Sequence, residues 1–575
     1  MNYNKSFLIT LGHNSSVIFY DCESKPIGYE EERLSKIKSD SSYPILAFEQ
    51  VLKHLTNEQI QNSNVFISHW FDKFAIEDFP EKYFNHGHFS FLVEKYNLNV
   101  IPVSSVFTHH DAHAYSSKAF YENFLKPEPI IGDLHYIVAD GFGNNQEVLS
   151  IYKEENDIPV LIKRVYGYKY SLGLLYQYAT SYCGMKENQD EYKFLGYEVK
   201  IKELLTEDVI EEIRIYCYKF SMFYMQECIN INTEKPFTGS KIIAYNELEF
   251  IKSELHRSFD ELYEKYCSKF LHNEEEKRIL IGFIVQTCLE YTLERILEKY
   301  KIKNVILSGG CFLNVKLNKV ILDKIPGIIC VNPLAGDQGA AIGLFRKYTN
   351  THFDYADLCF GKRDKLQVAQ STIEELSREE ISIFSNERNF ILYIVNELKR
   401  GKIVNVVQGN MEFGPRALCN TSTLALPTKE NAEYINKVNK RNEVMPMAPV
   451  TKAKWVNLFN LFKNKNDLDR VIGSNEFMII THDYDESFSD VKNHRGVLHT
   501  NLKGGFTCRP QLVHDSKNIS EILSSIDELW LINTSFNTHG TPILFSYEDA
   551  IKDFRKQKEL DVDNRMVLVM LNTTF

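Results

Sequence analysis

The chain has 575 residues, 44% hydrophobic and 25% charged, an ordinary globular composition but too long for one hydrophobic core. Its formal net charge of -11 weighs against a surface built to grip a nucleic-acid backbone along its length, though a local basic groove is compatible with it. No window approaches the roughly 18 uncharged apolar residues of a spanning helix, the apolar run at residues 7–11 is too short for a secretory core, and the 11 cysteines include no Cys-x-x-Cys pair. A cytoplasmic protein without metal-thiolate or disulfide framework is the expectation.

The chain opens on a strand, Phe7-Leu-Ile-Thr-Leu11, a turn of small residues, Gly12-His-Asn-Ser-Ser16, and a second strand, Val17-Ile-Phe-Tyr20, the pattern of a β-hairpin. An apolar strand running into a glycine-containing turn recurs twice. Leu134-His-Tyr-Ile-Val-Ala139 leads into Asp140-Gly-Phe-Gly143, and Asn304-Val-Ile-Leu307 leads into Ser308-Gly-Gly310. Turns of this kind let backbone come close to a ligand. Between them, Ile281, Ile284, Val285, Cys288, Leu289, Leu293, Ile296 and Leu297 fall on one helical face, predicting a long helix over Glu274–Tyr300. Residues 351–366 show no periodicity and read as a linker. A second strand-and-helix set follows, including Ile403-Val-Asn-Val-Val407 and Glu528-Leu-Trp-Leu-Ile532. The expected architecture is α/β in the first part and α/β or α+β in the second, with domains at 1–355 and 386–575 and a linker at 356–385.

Chemistry concentrates in a few segments. In Thr108-His-His-Asp-Ala-His113 a helix projects His109 and His113 from one face, within reach of one metal ion. Such a pair alone is more often a polar helix face. Asp140 and Asp337, the latter in Asn332-Pro-Leu-Ala-Gly-Asp-Gln-Gly339, change that balance, because two histidines with two aspartates form a nitrogen–oxygen donor set suited to iron, zinc or manganese. Ser308-Gly-Gly-Cys-Phe-Leu-Asn314 follows a strand and opens a helix, where backbone N–H groups can meet a phosphate or ribose. In the second half, Gln408-Gly-Asn-Met-Glu-Phe-Gly-Pro-Arg-Ala-Leu418 uses Gly414-Pro415 to aim Arg416, whose planar fork suits phosphate or carbamoyl oxygens. Lys440-Arg441, Thr507-Cys-Arg-Pro-Gln511 and Asn533-Thr-Ser-Phe-Asn-Thr-His-Gly540 add cations, hydroxyls and amides fit for an anionic substrate and a nucleotide.

Together these motifs resemble the O-carbamoyltransferases typified by the nodulation-factor and tobramycin carbamoylating enzymes. The resemblance runs nearly end to end, through Gly12-His13, Glu30-Glu-Glu-Arg33, the His-His-x-x-His motif, Asp140-Gly141, Glu191-Tyr-Lys193 with Gly196, Ser308-Gly-Gly310, Asp337, Met411-Glu-Phe-Gly-Pro-Arg-Ala-Leu418 and Asn533-Thr-Ser-Phe-Asn537. It implies an N-terminal duplicated actin-like (ASKHA) ATPase-type fold followed by a C-terminal YrdC-like α/β domain. It also implies that carbamoyl phosphate and ATP, as its magnesium complex, give carbamoyl adenylate in the second domain. An acceptor hydroxyl of a small molecule or sugar then takes the carbamoyl group in the first.

On the same ground His109, His113, Asp140 and Asp337 would hold a divalent metal, iron by resemblance, and His13 would be the general base. Glu191, Lys193, Ser308, Gly309, Gly310 and Asn314 belong to a nucleotide site, and Ser535 and Asn537 to a second one. Arg416, Lys440, Arg441 and Arg509 would hold carbamoyl phosphate. A monomer or homodimer with no membrane partner is implied.

The chain departs from the family pattern at four places. Aligned on the proline, Asn439 and Met445 stand where a lysine and an arginine usually contact carbamoyl phosphate, Cys419 replaces a glycine, and Asn14 an aspartate. Competing readings are carbamoylation of a hydroxymethylated nucleobase in DNA or a nucleotide, a non-catalytic nucleotide-binding protein of the same fold, and an actin-like sugar kinase. The last explains the glycine turns but not the histidine pair. Residues 71–99 and 208–252 carry no catalytic motif and are expected to shape the acceptor entrance.

Overall fold

The computed structural model describes residues 3–68, 94–101, 107–125, 131–230, 241–267, 273–355, 357–367, 369–441, 447–487, 493–515, 517–526 and 528–572. Its first half folds twice into one five-stranded pattern. In the first copy β1 (Lys5–Thr10), β2 (Ser16–Asp21), β3 (Ser24–Glu30), β4 (Asn64–Ser68) and β5 (Asn99–Val100) line up as β3-β2-β1-β4-β5. In the second, β6 (Leu134–Ala139), β7 (Glu147–Glu155), β8 (Ile158–Tyr166), β9 (Asn304–Ser308) and β10 (Ile329–Val331) line up as β8-β7-β6-β9-β10. In both, the first three strands form an antiparallel meander and the last two run parallel to the first. The hairpin expected near the start is present, with Phe7 opposite Phe19. The central strands β1, β6 and β9 are buried almost throughout, as sheets covered on both faces require.

The helix Glu274–Tyr300 has the expected bounds. Asn273 caps its start by accepting the Glu275 N–H, and Lys301 ends it in the left-handed region, φ 51°. Ile281, Ile284, Val285, Leu289, Leu293 and Ile296 of its inner face join the largest core beneath the second sheet. At the carboxyl end of β9, Gly309 has φ 94°, and a Cβ there would lie 2.2 Å from the Ala139 carbonyl oxygen, so no other residue fits. Gly309→Ala is expected to cost about 2–4 kcal/mol by strain and overlap. Urea unfolding measures it, and a midpoint equal to that of the wild type would contradict the packing.

The second half is a seven-stranded sheet. It comprises β11 (Ile381–Phe384), β12 (Ile403–Val407), β13 (Thr421–Ala425), β14 (Ala448–Lys452), β18 (Gln511–Val513), β19 (Leu531–Ser535) and β20 (Met566–Leu571), in the order β11-β20-β12-β13-β19-β14-β18. A small sheet of β15 (His482–Asp483), β16 (His499–Thr500) and β17 (Phe506–Cys508) lies beside it.

The span 356–385, read as linker, is only partly so. The helix Gln370–Arg378 and edge strand β11 belong to the second sheet, with β11 pairing in parallel with β20. Local periodicity is too short to show a four-residue edge strand whose partner lies at the far end of the chain. Residues 358–361 instead form the seam. Gly361 exchanges backbone hydrogen bonds with Met411, and Phe413 donates to the Leu358 carbonyl. One core cluster, with Leu8, Phe120, Tyr355, Phe360, Phe413 and Leu418, runs through this seam and joins the two halves. No helix among the described residues is long and apolar enough to cross a membrane. Of the stretches expected to shape an entrance, residues 69–93 lie outside the described residues; Glu207–Tyr224 and Lys241–Tyr266 are helices.

Candidate active site

The candidate residues of the first half sit at the carboxyl ends of the central strands, where β1, β6, β9 and β10 run into their turns. His109 opens the helix His109–Glu122, whose N-cap Thr108 and Asp111 form a reciprocal capping box. The His109 and His110 N–H groups donate to Asn144 and Glu147, which fixes the helix start beside β7. His109 and His113 are both buried, with Nε2 atoms 3.0 Å apart. His109 Nε2 lies 3.5 Å from Asp140 Oδ2 and 3.3 Å from Asp337 Oδ1, and His113 Nε2 lies 3.2 and 3.7 Å from the same atoms. Asp140 is aimed by two backbone donors, Gly141 and Gly310, which hold its other oxygen.

These four side chains offer ligand atoms all within 4.8 Å of one another. A metal bound at about 2.0–2.2 Å places neighbouring ligand atoms about 2.8–3.6 Å apart, so the set fits an ion. Burial alone would lower the His109 pKa, but Asp337 and Asp140 outweigh it and raise it to about 10. Burial works against the Asp337 charge, yet His109 and His113 hold its pKa at about 2. A positive charge at the centre of the four would take the place of the protons that the histidines otherwise carry.

Ser308, expected at a nucleotide site, lies beside this cluster, its Oγ 3.4 Å from His113 Nδ1. Asn314 caps the helix Val315–Lys324 through the Leu317 N–H and donates to Gln286, so its amide is engaged in structure. His13 lies in the turn after β1, its Nε2 buried and without a hydrogen-bond partner among the described residues.

A second constellation lies where the halves meet. Arg416, Arg441 and Arg509 are half-buried, and none makes a salt bridge among the described residues. Arg416 Nη2 reaches the Leu313 carbonyl of the first half at 3.4 Å, and its Nε is buried without a hydrogen-bond partner among the described residues. Burial lowers the Arg416 pKa to about 10 despite Tyr192, and burial together with the Arg416 cation lowers Arg509 to about 9. Arg441 is drawn inward by Thr534, Ser535 and Asn537, and burial lowers its pKa to about 10 as well. Arg441 has Asp553 nearby, but Arg416 and Arg509 have no carboxylate neighbour among the described residues, and two such cations side by side call for an anion.

From the first half, Lys193 enters this region, paired with Asp190 at 2.8 Å and 3.4 Å from His539. Glu191 turns away to accept the Asn188 N–H at 2.5 Å, and burial raises its pKa to about 7.

Lys440 is exposed, and the structure does not gather it with the arginines. It sits at φ 54° in the turn that ends the helix Lys429–Val438, not on a strand. Asn439 is buried as that helix's cap, its side chain accepting from Gln557 and its carbonyl from His539. Met445 lies outside the described residues. Sequence reasoning passed over Tyr192, which stands between the two charged residues it singled out and is the neighbour of both Arg416 and Arg441. Its only signal was its place inside the Glu191-Tyr-Lys193 motif.

Cys419 occupies the left-handed region, φ 75°, which explains the glycine usual there. Its thiol donates to Gln511 at 3.3 Å. Because backbone relief and the lost contact oppose each other, Cys419→Gly should shift unfolding stability by no more than about 1 kcal/mol. Cys419→Val should destabilise by more, and equal stability of the two variants would contradict the strain.

The carbamoyltransferase N-terminus family model matches residues 91–344, and the carbamoyltransferase C-terminus model matches residues 395–571. The chain belongs to the carbamoyltransferase family. The carbamoyltransferase is 26% identical to an uncharacterized protein of Methanocaldococcus jannaschii, over 95% of each chain. It is 24% identical to the nodulation protein NolNO of Sinorhizobium fredii, over 91% of this chain and 74% of that one. A 3'-hydroxymethylcephem-O-carbamoyltransferase of Amycolatopsis lactamdurans is 31% identical over 26% of this chain and 28% of its own. Among solved structures, full-length HypF in the phosphate- and nucleotide-bound form covers 61% of this chain and 47% of its own, at 13% identity and a TM-score of 0.29, and nothing follows from so low a similarity. The enzyme is a transferase of carbamoyl groups.

Proposed function

We propose that this enzyme is an ATP-dependent O-carbamoyltransferase with carbamoyl phosphate as donor and an alcohol of a small molecule or sugar as acceptor. The observation that carries the reading is the pair of uncompensated arginines, Arg416 and Arg509, with Arg416 reaching the first half at Leu313, just past the glycine turn whose Gly310 holds Asp140 of the histidine–aspartate cluster. The first half is read as actin-like from its repeated five-stranded pattern, and the second as YrdC-like by resemblance.

The arginines bind the donor phosphate, and water cleaves carbamoyl phosphate to carbamate and phosphate. A carbamate oxygen attacks the α-phosphorus of ATP and pyrophosphate leaves, giving carbamoyl adenylate. The acceptor oxygen then attacks the carbamoyl carbon, its proton passes to His13 Nε2, and AMP leaves. A divalent metal held by His109, His113, Asp140 and Asp337 would supply electrostatic stabilisation of negative oxygen. Enclosure between the halves keeps water from the activated carbamoyl group.

The test supplies carbon-13-labelled carbamoyl phosphate, ATP and a panel of sugars, aminoglycosides and hydroxymethyl nucleotides, with mass spectrometry of the products. Label in a carbamate ester of one acceptor class is expected. Label recovered only as carbamate and bicarbonate across the panel would count against transfer.

A further inference from the structure

The motif Glu30-Glu-Glu-Arg33 has no part in the chemistry above, yet Glu30 and Arg33 are almost wholly buried. Arg33 donates to Glu30 through Nε at 3.1 Å and Nη2 at 2.8 Å, and pairs with Glu32 at 3.0 Å. The pair then reaches across to the second half. Arg33 Nη2 donates to the Gly414 carbonyl at 2.6 Å, and Glu30 Oε2 accepts the Gly414 N–H at 3.0 Å. Both backbone groups of one residue are thus held by an ion pair more than 380 positions earlier in the chain.

Gly414 stands two residues before Arg416. Its φ is 99°, and a Cβ there would lie 2.5 Å from Leu334, in the turn that carries Asp337. The far end of the same loop is tied by Glu412, whose Oε1 accepts the N–H groups of Leu418, Asn420 and Thr421 at 2.8–2.9 Å. Between these ties Arg416 makes one hydrogen bond among the described residues, at 3.4 Å to the Leu313 carbonyl, with Tyr192 and Arg509 as neighbours that do not fix it through an ion pair. Its position therefore follows from its loop.

We infer that Glu30 and Arg33 are positioning residues for the anion site: held by the first half, the loop at Gly414 presents Arg416, so the site is complete only when the two halves are docked. The inference rests on the donor-site reading of Arg416. It goes beyond that reading by making donor binding conditional on docking of the halves, so that a water-sensitive carbamoyl intermediate forms only once they are together. An ion pair is suited to this. Its charge-assisted bonds are directional, and a misdocked interface would leave two buried charges without partners.

The test uses the full chain and two measurements. Inorganic phosphate binding is followed by calorimetry in the wild type, Arg33→Lys, Glu30→Gln and Arg416→Ala, and in each of the first two combined with Arg416→Ala. Hydrogen–deuterium exchange is followed across residues 411–421 without ligand. Lys25→Ala, which breaks a contact from the first half to Asp357 and touches neither Glu30 nor Arg33, serves as control. Arg33→Lys and Glu30→Gln should each weaken phosphate about tenfold, the loss of one charge-assisted bond's worth of order. Neither should weaken it further once Arg416 is alanine, exchange at Gly414 should quicken in both, and Lys25→Ala should change neither reading.

Additive losses in the Arg416→Ala background, or unchanged exchange at Gly414, would overturn the inference. Phosphate affinity indifferent to Arg416→Ala would instead sink the donor-site reading, and exchange at Gly414 would then decide the loop's dependence on the pair by itself. Glu30→Gln keeps shape and one acceptor, so it serves if Arg33→Lys fails to fold.

Discussion

Asp140→Asn is expected to empty the proposed metal site of the first half and stop carbamoyl transfer while pyrophosphate release from ATP continues. Asp140 gives one oxygen to the histidines and has the other held by the Gly141 and Gly310 amides, so it cannot rotate to compensate. Asparagine keeps the shape but removes the negative charge that a divalent ion needs, and either orientation sets an NH2 against a ligand or against a backbone donor. Metal affinity should fall by about 100-fold or more, since changes even at residues behind the ligands cost 10- to 100-fold. Elemental analysis of purified protein measures this. Full metal content in the variant, or loss of pyrophosphate release along with transfer, would contradict the division of labour between the two constellations.

Arg416→Ala is expected to have the opposite signature: metal content unchanged and pyrophosphate release lowered by about 100- to 1000-fold, the range seen when one preorganised charge-stabilising donor is removed. Arg416→Lys should recover only part of the loss, because an ammonium is a point charge without the planar fork. Stability should move the other way. Arg416 lowers the pKa of Arg509 and has no carboxylate among the described residues, so alanine relieves a like-charge contact. A melting temperature equal to or above that of the wild type is expected, as for residues kept for function at a cost in stability. A marked loss of stability would show that Arg416 is structural.

What the sequence reveals here is what lies close along the chain. The helix Glu274–Tyr300 follows from one apolar face, and the clustering of His109, His113, Asp140 and Asp337 follows from a four-residue spacing plus two aspartates after strands. The repeat of the five-stranded pattern is not visible as sequence similarity, because it resides in strand order and direction. The hold of Arg33 on Gly414 is hidden for a related reason, since an arginine in a charged motif carries no mark of the backbone it will meet. Lys440 and Arg441 look equivalent in sequence, yet a left-handed turn at residue 440 leaves one exposed and the other half-buried among Thr534, Ser535 and Asn537. The contact of the Ser308 hydroxyl with His113 is hidden in the same way, because it depends on the helix packed beside the glycine turn.

The most direct measurement is phosphorus NMR of ATP with the metal-loaded enzyme, with and without carbamoyl phosphate. Pyrophosphate and AMP that appear only when carbamoyl phosphate is present, and that vanish with Arg416→Ala, are the expected result. ADP and inorganic phosphate in their place, or ATP left intact by a folded and metal-loaded enzyme, would contradict adenylate formation at the arginine site.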